Sequence, residues 1–382
     1  MRKSTFPLKY ENVGIPLPSK KLDTMEKKRL ILKGRRHKTR PCLTLNNHPL
    51  AILAVWFILL SSLPAFYSCN RHGDTFEDTD LKECTVCLKS ADVDKISGLD
   101  VFFFNDDRLR KLDSWQHLDS AGSGTVECAS RQGKKIVVAI ANARLTDEEC
   151  RKIRSYEDLG GLHAELQSDN PDSPIMSGEG KVSAGNGRYS EIVMEPLLCE
   201  IVLNSISCDF HLRPYAGKML ENVRVYLTNV SGRMPYIGQA PAAPESILNH
   251  GHLSDEDIRK FEGKCLIYNE MTDIGESVVY PEIKLYCYEN LVREEGLATP
   301  FTRLVIEGEL DGKKTYYPLN VNRGIWSDGD SNGLARNRSY TYDITLTRRG
   351  VNDPDNAIEM QEVQSNFQVK PWKDKERRTI TF

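Results

Sequence analysis

The chain lacks the sequence patterns that carry most enzyme chemistry. No segment reads as a nucleophile elbow, a His-Glu-x-x-His zinc motif, a P-loop or a Gly-x-Gly-x-x-Gly turn after a strand. Each of those spacings exists because a nucleophile, a metal or a phosphate needs groups at fixed positions on a strand, helix or turn. Without them the chain reads as a non-enzyme with no cofactor. Histidine is scarce, with eight in 382 residues. The one close pair, His250 and His252, sits in a loop with no evident third ligand, whereas zinc takes three or four. Carboxylates are plentiful, but no pair stands out from a solvated surface. Asp353-Pro-Asp-Asn356 reads as a turn, because Asp and Asn bond their own backbone and Pro presets φ. No metal site is expected. Basic residues become scarce beyond residue 68, where 38 Lys and Arg face 51 Asp and Glu, a net of −13. That balance excludes nucleic acid as a partner, since phosphate binding needs a basic surface. It also argues against docking on anionic lipid by charge.

Long apolar runs are missing too, with one exception. Residues 50–68 run from Leu50 through Leu60 without a charge and end at Ser68, directly before Cys69. A basic leader precedes the run, and Met25, followed by Lys27, Lys28 and Arg29, is a candidate start. A charged region, a short apolar region and small residues before a break form an export signal. The cysteine at the break resembles the lipobox of bacterial lipoproteins, although Tyr67 and Phe66 are bulkier than the usual pattern. The resemblance implies removal of residues 1–68 and acylation of Cys69 with diacylglycerol and palmitate. Two other readings are a spanning helix and a cleaved secretory signal. A spanning helix needs about 20 apolar residues, and this stretch is diluted by Ser61, Ser62, Pro64 and Ser68.

Eight cysteines follow Cys69, at 84, 87, 128, 150, 199, 208, 265 and 287. An exported chain permits disulfides, but the spacings leave the pairing open. Several lie in apolar strand patterns, where a free cysteine behaves as a small hydrophobe. Cys84-Thr-Val-Cys87 stands alone, without the second pair that a zinc site would use.

Strand signals dominate the remainder. Segments 83–89, 98–104, 135–141, 197–207, 222–230, 302–310, 313–319, 339–347 and 362–372 are β-branched, aromatic or alternating in the manner of strands. Asp311-Gly312 between two of them favours a two-residue hairpin. Tyr340, Tyr342, Ile344 and Leu346 fall on one face of theirs. Thr146 with Glu149 fits a capping box, and Ser254 before three acidic residues fits an N-cap. Both predict short helices. Residues 235–252 read as a long loop and 377–382 as a strand-like tail. The stretch beyond residue 68 suits two domains at about 100–200 residues each. Many short strands, polar turns and brief helices give an all-β fold of two β-sandwich domains. The expected division is 1–68 leader, 69–82 tether, 83–210 N-terminal sandwich and 211–382 C-terminal sandwich.

The order of several segments is then recognisable. An acylated cysteine is followed by a short strand, Gly-Leu-Asp-Val-Phe-Phe-Phe-Asn at 98–105, Gly-Lys-Lys-Ile-Val-Val-Ala-Ile-Ala-Asn at 133–142 and Pro-Ile-Met-Ser-Gly at 174–178. Later come Lys-Thr-Tyr-Tyr-Pro-Leu-Asn-Val-Asn at 314–322, Arg-Asn-Arg-Ser-Tyr at 336–340, Gly-Val-Asn-Asp-Pro-Asp at 350–355 and Lys-Pro-Trp at 370–372. Taken together over 69–382, this resembles the FimA/Mfa-type fimbrillin family, subunits of the type V pili of anaerobic Gram-negative bacteria. The resemblance implies two transthyretin-like β-sandwich domains with a few short helices. It implies a surface-exposed outer-membrane lipoprotein, built into a fimbria that supports adhesion. Partners would be other pilin subunits, the lipid anchor and a host surface receptor.

In that family a protease removes the first strand, and a C-terminal strand of the next subunit fills the groove. Mapped here, the removable strand carries Cys84, Val86 and Leu88 on one alternating set. The donor lies in 366–382, with Phe367, Val369, Ile380 and Phe382 as groove fillers, although the same tail also suits an ordinary edge strand. One departure stands out. Members are typically cut after an arginine between the first two strands, and no Arg lies between Arg71 and Arg108. Lys89 and Lys95 are the candidate processing sites. An uncut subunit would keep its first strand and suit the anchor end of a pilus. A surface lipoprotein binding a glycan or protein ligand is the remaining alternative, with Trp115, Tyr236 and Trp326 as its loop aromatics.

Overall fold

A computed structural model of the chain describes residues 81–90, 95–122, 124–185, 190–211, 214–241, 243–261, 264, 266–324, 332–356 and 363–372. These belong to one compact unit that begins at Thr75. The leader, Cys69 and the tail from 373 lie outside the described residues.

The first half forms a three-stranded sheet facing a five-stranded one. β1 (Leu81–Lys89), β2 (Leu99–Asn105), β3 (Leu112–Leu118), β4 (Thr125–Arg131) and β5 (Gly133–Ala141) lead into two short helices, α1 (Asp147–Lys152) and α2 (Tyr156–Gly160). β6 (His163–Glu165), β7 (Met176–Ala184), β8 (Ser190–Val193) and β9 (Glu195–Pro196) follow. The small sheet has the order β4-β1-β8 and the larger one β3-β2-β5-β7-β9. The segments at 98–104 and 135–141 are apolar on both faces because β2 and β5 are covered on both. Leu99, Val101 and Phe103 with Val137, Ala139 and Ala141 face the small sheet. Phe102, Phe104, Ile136, Val138 and Ile140 face a second core that includes Cys150, Ile153 and Leu159. Thr146 closes the expected capping box on α1, its hydroxyl accepting from Glu149 N–H while Glu149 accepts from Thr146 N–H.

The second half is a sandwich of two four-stranded sheets. Its strands are β10 (Leu198–Cys208), β11 (Leu220–Thr228), β12 (Val230–Ser231), β13 (Arg233–Pro235) and β14 (Ile247–Leu248). After α3 (Asp255–Arg259) come β15 (Tyr268–Glu270), β16 (Ile283–Tyr288), β17 (Arg303–Leu310), β18 (Lys313–Asn320), β19 (Arg338–Leu346) and β20 (Val363–Pro371). The sheet orders are β16-β10-β19-β20 and β15-β11-β17-β18. Asp311 and Gly312 both have positive φ, +54° and +71°, as a type I′ hairpin requires. Asn356 N–H and Asp355 N–H turn back on Asp353, so 353–356 is the turn its composition suggests. Asp355 also pairs with the buried Arg303 at 2.6 Å.

The expected division at 210 cuts through a ladder system. β10 hydrogen-bonds to β16 on one side and to β19 on the other, both from the C-terminal half. The sheets therefore part at Pro196–Leu198 rather than at 210. Only the short β6–β13 pairing joins strands across that point.

Arg336 ties the two halves together. Its buried guanidinium donates to the carbonyls of Pro196, Ser177 and Glu195 and to Ser177 Oγ. Burial holds its pKa below the usual arginine value, opposed by Glu195 and Glu289. Five tyrosines, Tyr226, Tyr288, Tyr317, Tyr340 and Tyr342, are among the largest fully buried side chains. Each hydroxyl has a partner: Glu307, Asp169, Arg348 O, Gly333 O and Asn322 N–H respectively. A buried phenol needs such a partner to offset its lost hydration.

Two outcomes follow from these contacts. Arg336→Ala leaves several buried acceptors unmet and lowers unfolding stability by about 3 kcal/mol. Urea unfolding checks this, and Arg336→Lys, which lacks the planar fork, recovers only part of the loss. Asp169 gives the second. Burial pushes its carboxyl up to about 6, although Ile175 N–H, Asn170 N–H and Tyr288 OH bond to it. The folded state then holds a proton that the unfolded state, with a carboxyl near about 4, has lost. Asp169 therefore contributes stability as pH falls through about 6, and costs stability when charged. Midpoints measured across that window shift toward wild type on acidification when compared with Asp169→Asn.

Candidate functional site

The site is the slot that β1 occupies. β1 lies between β4 and β8, antiparallel to the first over Leu81 to Cys87 and parallel to the second over Val86 to Lys89. Its period of two is the alternation read from the sequence. Cys84, Val86 and Leu88 are buried, and Thr85, Cys87 and Lys89 face the other way. The buried three join Val126 and Cys128 of β4, Ile192 of β8 and the inner faces of β2, β5 and β7 in one core. Cys84 and Cys87 thus sit on opposite faces of the strand, a geometry in which they cannot act as a chelating or redox pair.

The far edge of β4 is closed by side chains rather than by a strand. Gln116 of β3 exchanges two hydrogen bonds with Ala129, donating to its carbonyl at 2.8 Å and accepting from its N–H at 3.1 Å. Ser114 Oγ donates to the same carbonyl. Asp113 accepts from Arg131 N–H and Ser130 Oγ and pairs with the buried Lys135 at 3.1 Å. Burial alone would raise the Asp113 carboxyl, but the Arg131 N–H, Lys135 and Ser130 hold it below the usual range. β3 is missing from the sequence reading because hydrogen-bonding Asp113, Ser114, Gln116 and His117 are interspersed with its packing residues Leu112, Trp115 and Leu118, so no apolar alternation marks it.

β8 passes directly into β9 of the facing sheet. Gly178 lies under that crossing, where a Cβ would stand 2.3 Å from Val193 O. Both expected processing residues are exposed. Lys89 ends β1 and pairs with Glu191 at 2.7 Å, both side chains more than half exposed. Lys95 is exposed just before the buried Ile96, and its carbonyl accepts from Ser173 Oγ. Residues 91–94 between them lie outside the described set.

The candidate donor residues divide into two groups. Phe367 and Val369 belong to β20, an edge strand that pairs only with β19 and sets them opposite Tyr342 and Tyr340. Val363 and Trp372 at its two ends are buried, and Trp372 meets the Tyr286 ring at 5.9 Å. Ile380 and Phe382 lie outside the described residues, as do Cys69 and Trp326. The other two aromatics offered for ligand binding are packed instead of displayed on loops. Trp115 is in β3, stacked 6.4 Å from Phe102 with its Nε1 donating to Asp100, and Tyr236 is buried. Among the described residues, no three His, Cys, Asp or Glu side chains converge as metal ligands would.

Solved structures share the fold. A protein from Parabacteroides distasonis, provisionally described as a cell adhesion protein, matches with a TM-score of 0.57 at 16% identity, over 76% of this chain and 96% of its own. One of the same description from Bacteroides eggerthii matches at 0.57 and 15%, over 77% and 96%. A fimbrilin, FimA, from Porphyromonas gingivalis matches at 0.52 and 16%, over 76% and 98%. No protein-family model and no curated protein matches the chain. The chain has the all-β sandwich fold of the FimA-type fimbrilins, as the order of its segments implied.

A stability contrast tests the slot. Leu88→Ala empties part of a closed core and costs about 2–5 kcal/mol. Thr85→Ala on the outer face of the same strand costs about 0.5 kcal/mol or less. Denaturant midpoints of the two variants measure the difference.

Proposed function

We propose that this chain is a structural subunit of a fimbria and that β1 is the strand exchanged during assembly. The observation that carries the reading is the position of β1. It is the first described strand, yet it lies inside its sheet and contributes Cys84, Val86 and Leu88 to the core. Cutting the chain just after it leaves these contacts in place but makes them non-covalent. Losing the strand then uncovers an apolar groove with unpaired backbone on β4 and β8. Such an edge is completed by a strand from another chain. A contact of this kind joins two different surfaces, so it repeats without closing and grows a filament.

The cut falls after Lys89 or Lys95, and the incoming strand comes from 366–382. β20 makes one ladder where β1 makes two, and Trp372 pins its end to the body. Ile380 and Phe382, later in the sequence than that pin, are the proposed fillers, with Phe367 and Val369 available if β20 detaches. In this reading Cys69 carries the lipid that holds the precursor at the outer membrane. The fold likeness to a fimbrilin supports the reading, as does the exposure of both lysines.

Limited trypsin treatment of the purified protein tests it. In the presence of reductant, the expected result is a new N-terminus at Ser90 or Ile96 by mass spectrometry, followed by ladders that survive SDS. Resistance at both lysines, or a cut chain that stays monomeric after β1 is gone, would remove strand exchange from the account.

A further inference from the structure

Two pairs of cysteines stand directly opposite each other in antiparallel ladders. Cys84 of β1 is opposite Cys128 of β4, and Cys199 of β10 is opposite Cys287 of β16. All four are buried and unbridged in the structure. Directly opposed residues point to the same face of a sheet, so each pair shares one patch of core. The register can be taken further for the first pair. Leu88 N–H donates to Gly124 O, and Ala129 turns its N–H and C=O outward to Gln116. Cys84 and Cys128 therefore fall at a hydrogen-bonded position of the ladder. The Cα atoms of such a pair are about 5.5 Å apart, inside the range of roughly 4.4–6.8 Å that a disulfide spans. The Cβ atoms, at the wide end of about 4.5–5.5 Å, must draw in by about 1 Å to reach the roughly 3.5–4.5 Å of a bridge.

We propose that Cys84 and Cys128 form a disulfide in the exported protein, and that this bond keeps β1 attached to the body after the chain is cut. The inference rests on the strand-exchange reading for its consequence, though not for its chemistry. The bond forms by two exchange steps with a disulfide-bearing oxidant of the export compartment. One cysteine thiolate attacks the oxidant and releases one of its thiols. The other cysteine thiolate then attacks the mixed disulfide and releases the second. Two cysteine protons are given up, one cystine is made, and the oxidant leaves as two thiols. The timing follows from burial, which pushes the Cys128 thiol up to about 12, with Cys84 adding to the effect. Docked thiols stay protonated and unreactive, since the thiolate is the nucleophile. The exchange therefore belongs to folding, before β1 seats between β4 and β8. Once β1 has seated, the bond is enclosed in the core. A cut at Lys89 or Lys95 then opens the groove only once the bond is reduced, and until then the subunit can donate a strand without accepting one. The Cys199–Cys287 pair has matching opposition in the other sandwich but no link to β1, which makes it an internal control.

The full chain, exported in a Gram-negative host and alkylated with iodoacetamide at lysis, is mapped by mass spectrometry without reduction. A peptide pair joined through Cys84 and Cys128 is expected, lost in Cys84→Ser and kept in Cys199→Ser. After limited trypsin, the β1 fragment should stay with the body on a non-reducing SDS gel and separate on adding reductant. Alkylation of both Cys84 and Cys128 in the exported chain, or either one joined to another cysteine, would overturn the proposal. The map on wild type stands even if Cys84→Ser folds poorly. Failure of trypsin to cut after Lys89 or Lys95 bears on strand exchange alone and leaves the map to decide the bond.

Discussion

The placement of β1 is the constraint on which the first sandwich depends. A strand at a sheet edge costs little to lose. Here the small sheet is built around β1, and β4 and β8 touch each other only through it. The order β4-β1-β8 means that the sheet exists while β1 is present and is two separated strands when it is absent. The inner face of β2, β5 and β7 is covered by that sheet. The covering of the core from Leu99 to Ala141 thus depends on β1.

The parts around β1 read as provisions for such an arrangement. β3 brings Asp113, Ser114 and Gln116 to the outer edge of β4, so Ala129 and Arg131 of β4 stay bonded whatever happens to β1. β8 is held from the other side by its passage into β9, which Gly178 permits, and Arg336 clamps β9 through the carbonyls of Glu195 and Pro196. Both flanking strands are therefore fixed independently of the strand between them. Under the strand-exchange proposal, such walls would preserve an apolar slot for another strand to enter.

The elements legible in the sequence were those whose burial leaves a pattern. The period of two in Cys84, Val86 and Leu88 gave β1 its faces. The unbroken apolar runs of β2 and β5 marked strands covered on both sides, and Asp311-Gly312 marked its hairpin. Other elements left no such trace. Leu112–Leu118 is half-buried along nearly its whole length, with no alternation of hydrophobicity. Ser190–Val193 is four residues long. The division between sandwiches was misplaced because the polar stretch after Cys208 looks like a linker. The actual change of sheet, at Pro196–Leu198, sits in apolar sequence. Register was beyond reach altogether. Nothing in the spacing of ten cysteines says that Cys84 meets Cys128, because that depends on how two strands slide past each other.

The closed outer edge of β4 has a consequence for the shape of whatever this protein builds. A strand with two open sides could recruit a partner on each and branch. β4 has one side already bonded to side chains of β3, so along this strand only the place vacated by β1 can take a newcomer. Its valence is one. Under the strand-exchange proposal, growth through this sheet adds subunits end to end and not as a cross-linked mesh.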